Sequence, residues 1–435
     1  MKHLISSLCA AALSAAAFAG LASAQTVGEG LQVIHAGHLI AEPGQSARAE
    51  ASVVIRDGRI EAIEDGFVTP DGAEVIDLSN HWVMPGMIDS HVHILRERSA
   101  NSRLERFTLS SADMAFQGAR NARITLEAGF TTIQDVGADL EAIMALRRAI
   151  ANGDAIGPRL RAAGPSISPS GGHGDINGYN PEITQMFPSR FACNGADDCA
   201  RATRQLIQNG ADIIKITATG GVLSDTGAGL EVQFFDAELE AIVQAAEMMG
   251  RRVTAHAHGL SGVNAFLRAG GHAIEHGTFL DDESIRLFRD NGAYLVPTVM
   301  AGEFVTIAAE SGADWMSPFQ RQKALEAGPQ MLDMLRRAHA GGVTVAFGTD
   351  SGVSAHGDNG RELELMVEAG MTPAEALRSA TVIASRHLGM DTDIGTLEAG
   401  KFADIIAVDG DPLEDISEML DVDFVMLGGV VHVQP

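Results

Sequence analysis

The chain has 435 residues, 46% hydrophobic and only 5% aromatic, with 48 glycines. That is enough for a large core built mainly of Ala, Val, Ile, Leu and Met, and nothing suggests disorder or low complexity. With 31 Lys and Arg against 57 Asp and Glu, the formal net charge is −26. So acidic a protein repels nucleic acid and anionic lipid, which leaves a small molecule or a peptide as the expected substrate.

The first stretch, MKHLISSLCAAALSAAAFAGLASAQT, has a basic start at Lys2, an Ala-rich apolar run and the small-x-small ending Ala22-Ser23-Ala24. It reads as a secretory signal, residues 1–24, cleaved after Ala24, in preference to a membrane anchor. The mature protein is therefore expected to be periplasmic or secreted. No later segment is long and apolar enough to span a bilayer. Cleavage removes Cys9 and leaves Cys193 and Cys199 in FACNGADDCA, expected to form a local disulfide in an oxidising compartment.

Residues 25–84 read as short strands, with Asp57-Gly58 as a hairpin turn between apolar runs. Residues 391–435 are again strands, around Gly428-Gly429. Two β-rich ends flanking a different middle predict one small β-sandwich domain assembled from both termini. Between them, residues 85–390 alternate short apolar strands with amphipathic helices. The strand candidates are MIDSHVH, TTIQDVG, RLRAAG, DIIKITATG, RVTAHAHG, HAIEHG, AYLVPT and VTVAFGTD. Eight such units predict an α/β fold, a (β/α)8 TIM barrel, with a doubly wound open sheet as the alternative.

Polar residues gather at the C-terminal ends of these strands, the catalytic face of such a barrel. His91 and His93 are two apart, so on a strand both point to one side and can reach one metal. Lys215 is expected to end the fourth strand, His256 and His258 the fifth, His276 the sixth and Asp350 the eighth. Neutral imidazoles and a carboxylate suit a borderline cation such as zinc. A lone histidine of this kind is ordinarily a core residue; the recurrence at five strand ends is the signal. Lys215 lies in an apolar, β-branched strand, where an unpaired ammonium costs several kcal/mol to desolvate. After reaction with CO2 it becomes a carbamate, an anionic oxygen ligand able to bridge two metals.

PGMIDSHVH, IIKI, HAHG, EHGT and GTDSG, in that order and followed by GTLEAGKFADI, resemble the amidohydrolase superfamily. Within it the chain is similar to the imidazolonepropionase-like branch, with its metal-dependent prolidases, dipeptidases and ochratoxin-hydrolysing amidohydrolases. The resemblance implies that His91, His93 and Asp350 hold the more buried metal, and His256 and His276 the second. Carboxylated Lys215 would bridge two divalent ions, expected to be zinc. Of the fifth-strand pair, the deeper His256 is assigned to metal and His258 to substrate. Asp350 would shuttle the proton, and His173, in the SPSGGHGD loop, would contact a substrate carbonyl or carboxylate. The activity implied is hydrolysis of an amide bond to a C-terminal amino acid, as in a dipeptidase, a carboxypeptidase or an ochratoxin A hydrolase. A cyclic-amide or ester hydrolase is the alternative, and a complete ligand set argues against a non-catalytic scaffold. Such barrels commonly assemble, so a homo-oligomer is expected. His356 and Asn359 either border the pocket or form a structural turn. The Met248-Met249 pair, with Met331 and Met334, is assigned to packing, and the long cysteine-bearing loop to a disulfide-stiffened lid.

Overall fold

The computed structural model describes residues 28–435, so the expected leader at residues 1–24 lies outside the described residues. Four strands come first: β1 (Leu31–Leu39), β2 (Arg48–Arg56), β3 (Arg59–Asp65) and β4 (Glu74–Pro85). The β2–β3 hairpin turns at Asp57 and Gly58, both at positive φ (49° and 73°), as a two-residue turn matched to strand twist requires. Eight short strands follow: β5 (Met87–Val92), β6 (Phe130–Asp135), β7 (Arg159–Ala162), β8 (Ile214–Thr217), β9 (Val253–Ala257), β10 (Ala273–His276), β11 (Tyr294–Val296) and β12 (Thr344–Val345). The chain ends in β13 (Ile405–Val408), β14 (Phe424–Leu427) and β15 (Val430–Val433).

The two chain ends do combine, but into one sheet and not two facing ladders: its order is β15-β14-β13-β4-β1-β2-β3. β13 pairs antiparallel with β4, so residues more than 300 apart in sequence share a ladder. Ile34, Val53, Ile55, Val83, Ile405 and Phe424 form a separate small core on it. The pairing thus does not confirm the expected sandwich: the strands form one continuous ladder, and the small core is drawn almost wholly from that sheet's own strands.

β5 to β12 are all parallel where they pair. They fall into two ladders, β5-β6-β7 and β12-β11-β10-β9-β8, linked by the single bridges Ile167↔Ile216 and Val92↔Ser351. The ladder breaks where the backbone turns sharply, at Gly164 (φ 72°) after β7 and at Asp350 (φ 60°) beyond β12. Helices fill the connections. Asp282–Asn291 is capped by Asp281, whose side chain accepts from Ser284 N, and stops at left-handed Gly292. The expected helical stretches around DAELEAIVQAAE and SGVNAFLR are helices Asp236–Glu247 and Leu260–Arg268. Met331 and Met334 are core residues, whereas Met248 and Met249 are exposed, contrary to expectation. They fall beyond Glu247, where the helix ends, and so leave its packing face. Among the described residues no helix is long and apolar enough to cross a membrane.

Candidate metal centre

Every strand that was expected to supply a ligand delivers it to one place. His91 lies in β5 with His93 just past its end, Lys215 in β8, His256 in β9 with His258 just past its end, and His276 closes β10. Asp350 follows β12, hydrogen-bonded through its N–H to His91 O at 2.8 Å. The rings interlock: His91 to His276 5.2 Å between centroids, His256 to His276 4.6 Å and His173 to His256 4.3 Å. Donor atoms of His91, His276 and Asp350 lie within 4.8 Å of one another, as do those of His256, His258 and His276.

Hydrogen bonding on the far side of each ring fixes its tautomer. His91 Nδ1 faces Glu275 Oε2 at 2.7 Å and His93 Nδ1 faces Gly137 O at 2.8 Å. A carboxylate and a carbonyl only accept, so both neutral rings carry hydrogen on Nδ1 and present bare Nε2 lone pairs. Thr298 Oγ1 donates to Pro297 O and therefore accepts from His276 Nδ1 at 2.6 Å, leaving His276 Nε2 bare too. His256 runs the other way: Nε2 lies 3.4 Å from Gly220 O, which frees Nδ1.

Asp350 Oδ1 sits 3.3 Å from His91 Nε2 and 3.2 Å from His93 Nε2, yet has no aligned hydrogen bond although it is buried. Three lone-pair-bearing atoms converging without a proton between them make a cation-shaped donor set. Burial and Lys215 push His91 down, but Glu275 and Asp350 outweigh them and raise its pKa, the attraction a cation would answer. Burial holds His256 and His276 well below the ordinary histidine range and His258 at about 4, so these rings are neutral, the form that ligates. Lys215 is 3% exposed, and its side chain makes no hydrogen bond or ion pair among the described residues; burial depresses its pKa. The donor set fits a metal ion, and burial disfavours the ammonium form of Lys215.

Three residues here hold positive φ without being glycine: Asp350 at 60°, His276 at 73° and Thr298 at 51°. Such strain persists only where surrounding structure enforces it, and it clusters at working sites. No sequence pattern announced it. Glu275 was missed as well; a fully buried acid one residue before an expected ligand was the available signal, and it accepts from both His91 and Thr254.

His173 reaches the cluster because Gly221 leaves room: a Cβ there would lie 2.2 Å from the imidazole. Its Nδ1 bonds Ser224 Oγ, and burial pushes its pKa down to about 3. Asn359 is fully buried and donates to Asp89 Oδ2 at 2.7 Å, and His356 Nε2 bonds Arg96 O at 2.8 Å. Both brace the loops and leave the pocket to others. Cys193 and Cys199 are disulfide-bonded. Both are wholly buried at the base of the long segment after β7, whose Gly178 O accepts from Arg103, itself paired with Asp225 in the loop after β8. Arg98, near enough to Asp350 to feel its charge, is a further residue the sequence did not single out. It lies 5.5 Å from the Trp315 ring, makes no ion pair among the described residues and is pushed down to about 10 by burial and Arg96.

The amidohydrolase family model matches residues 82–431. Ochratoxinase of Aspergillus niger is 31% identical over 405 residues, covering 88% of this chain and 82% of its own. A solved Xaa-Pro dipeptidase with methionine bound in its active site is 39% identical, with TM-score 0.88 over 93% of this chain and all of that one. Imidazolonepropionase of Pseudomonas paraeruginosa is 25% identical over 403 residues, covering 82% of this chain and 90% of its own. With the family model spanning most of its length and these relatives alongside, the chain belongs to the amidohydrolase family, in its imidazolonepropionase-like branch, and is a hydrolase of amide bonds.

Proposed function

We propose that this protein is an exported amidohydrolase that uses two divalent metals to cleave the amide bond to a C-terminal amino acid. The single observation that carries the reading is buried Asp350 Oδ1, without a hydrogen bond and facing two bare imidazole nitrogens. His91, His93 and Asp350 would hold one ion, His256 and His276 the other, with carboxylated Lys215 between them. Bound there, zinc or a similar cation would acidify a water molecule and polarise the scissile carbonyl. We also read β5 to β12 as a closed (β/α)8 barrel, and residues 25–84 with 391–435 as a composite β domain.

The chain's own residues do the rest. Asp350 accepts the proton of the attacking water and returns it to the leaving amine. His173 and His258, on the substrate side of the cluster, donate to the developing oxyanion. His258 is aimed by its 2.8 Å bond to Thr278 Oγ1. Arg98, within electrostatic reach of Asp350 and without an ion pair among the described residues, takes the substrate's free carboxylate. The relatives named ochratoxinase and Xaa-Pro dipeptidase, the latter with methionine in its active site, support a substrate ending in an amino acid.

The test is amino-acid release by the mature, zinc-loaded protein across dipeptides, N-acyl amino acids and ochratoxin A, with their C-terminal amides, esters and cyclic amides as controls. Release confined to substrates with a free carboxylate is expected. Turnover of esters or cyclic amides alone would discard the substrate class.

A further inference from the structure

At the strand starts, away from the metal centre, a cavity of about 260 Å³ is lined by Gln134, Arg161, Asp212, Arg251, Arg252 and His387. In a chain of net charge −26 it gathers three guanidinium groups that bond only to backbone carbonyls. Arg161 Nη2 donates to Asp212 O, Arg251 Nε to Ala211 O, and Arg252 Nη1 to Arg386 O and His387 O. The one carboxylate lining it, Asp212, is engaged by Arg147 and by Ala162 N–H. Three guanidinium groups against one carboxylate that is shared with Arg147 leave a surplus of positive charge.

Three polar side-chain atoms of the lining are buried without a partner: Arg161 Nε, His387 Nε2 and Gln134 Oε1. Gln134 and His387 are each 1% exposed. Their hydrogen-bonding senses follow from their neighbours. Arg252 Nη1 spends both hydrogens on carbonyls, at 2.9 and 2.7 Å, so it has none for His272 Nε2. His272 Nε2 also lies 3.3 Å from His387 O, which can only accept, so it carries its own hydrogen; the His387 Nδ1 facing it at 3.2 Å is then bare, which places the His387 hydrogen on Nε2. Gln134 Nε2 donates to Ser90 O, so its Oε1 is the free end. The cavity thus holds two orphan donors, Arg161 Nε–H and His387 Nε2–H, and one orphan acceptor, under a surplus of positive charge.

We propose that this cavity binds a small oxyanion bearing a hydroxyl, for which inorganic phosphate is the simplest probe. The anionic oxygens meet the guanidinium groups and His387, and the hydroxyl donates to Gln134 Oε1. Sulfate has the charge and shape but no hydroxyl at neutral pH, so it discriminates the two halves of the recognition. The site lies apart from the reacting groups and does not depend on the catalytic reading.

Isothermal titration of the zinc-loaded protein with phosphate and with sulfate, at constant ionic strength, tests this. Wild type and Asp350→Asn are expected to bind phosphate alike. Arg161→Gln and Arg251→Gln should each weaken it at least tenfold while leaving amide hydrolysis unchanged, and sulfate should bind at least tenfold more weakly than phosphate. The two arginine variants guard against misfolding of either one. No binding by wild type would overturn the proposal. So would binding abolished by Asp350→Asn and kept by Arg161→Gln, since the anion would then sit on the metals. Sulfate binding as tightly as phosphate would overturn the role of Gln134.

Discussion

Glu275 offers the sharpest test of how the metal site is held. It is fully buried, and its Oε2 accepts from His91 Nδ1 at 2.7 Å while Oε1 accepts from Thr254. Hydrogen bonds from His91 and Thr254 favour its carboxylate form against burial, so it stands as an ionised acceptor. Glu275→Gln keeps an acceptor of nearly the same shape and removes only the charge. A hydrogen bond to a charged group contributes about 1.5–3 kcal/mol and a neutral one about 0.5–1.5 kcal/mol. The difference, about 1–1.5 kcal/mol, corresponds to metal binding weakened roughly five- to fifteen-fold, since 1.4 kcal/mol is tenfold. That sits at the low end of the ~10–100-fold effects found for groups behind metal-binding histidines. Chelator competition on purified protein would read the affinity, with circular dichroism confirming the fold. Glu275→Ala, which strands the His91 Nδ1–H and opens a void, should be worse than Glu275→Gln. Unchanged metal affinity in both variants would refute the view that Glu275 fixes His91 for ligation.

Lys215→Ala should lose metal and most amide turnover; wild-type metal content and rate would remove the lysine from the centre. Arg98→Ala should raise KM about tenfold for substrates with a free carboxylate at little cost in kcat, and leave C-terminal amides unaffected; an equal loss on both would deny it that contact. Gly221→Ala should displace His173 and cut turnover more than tenfold with metal content intact, because the new Cβ would meet the ring at 2.2 Å; normal turnover would make His173 dispensable. Burial depresses His272 to about 4 and His387 to about 3. Unfolded histidine titrates near 6.5, so below that pH the unfolded chain binds protons the native protein refuses. Stability is then whole above pH ~6.5 and falls with acidification towards pH 4, by about 1.4 kcal/mol per pH unit for each such histidine. Denaturant melts of His387→Gln should show a shallower slope in that window, and an identical slope would contradict the assignment.

Much of the site was legible because its chemistry rides on short strands with a fixed period. His91 and His93 share a side because alternate residues of a strand do, and His256, His276 and Asp350 recur at or just past strand ends, whereas Lys215, expected at an end, is the second residue of β8. The hairpin at Asp57-Gly58 was equally local, since its dipeptide suits positive φ at both turn positions. Features set by distant partners were not legible. Glu275 differs from any buried acid only by lying 2.7 Å from a histidine 184 residues earlier. Nothing local says that β13 will pair with β4 to make one sheet, or that Met248 and Met249 will fall past a helix end.

The sequence alone determined the histidines, lysine and aspartate that converge, the strands that carry them, the cysteine pair and the net acidity, because period, spacing and charge are local or additive properties. Tertiary structure alone decided which nitrogen of each imidazole is free, which acids stand behind them, the positive φ at His276 and Asp350, and the cationic cavity at the strand starts. Those depend on atoms brought within about 3 Å across hundreds of residues, where hydrogen-bond direction and burial, not residue type, set the chemistry.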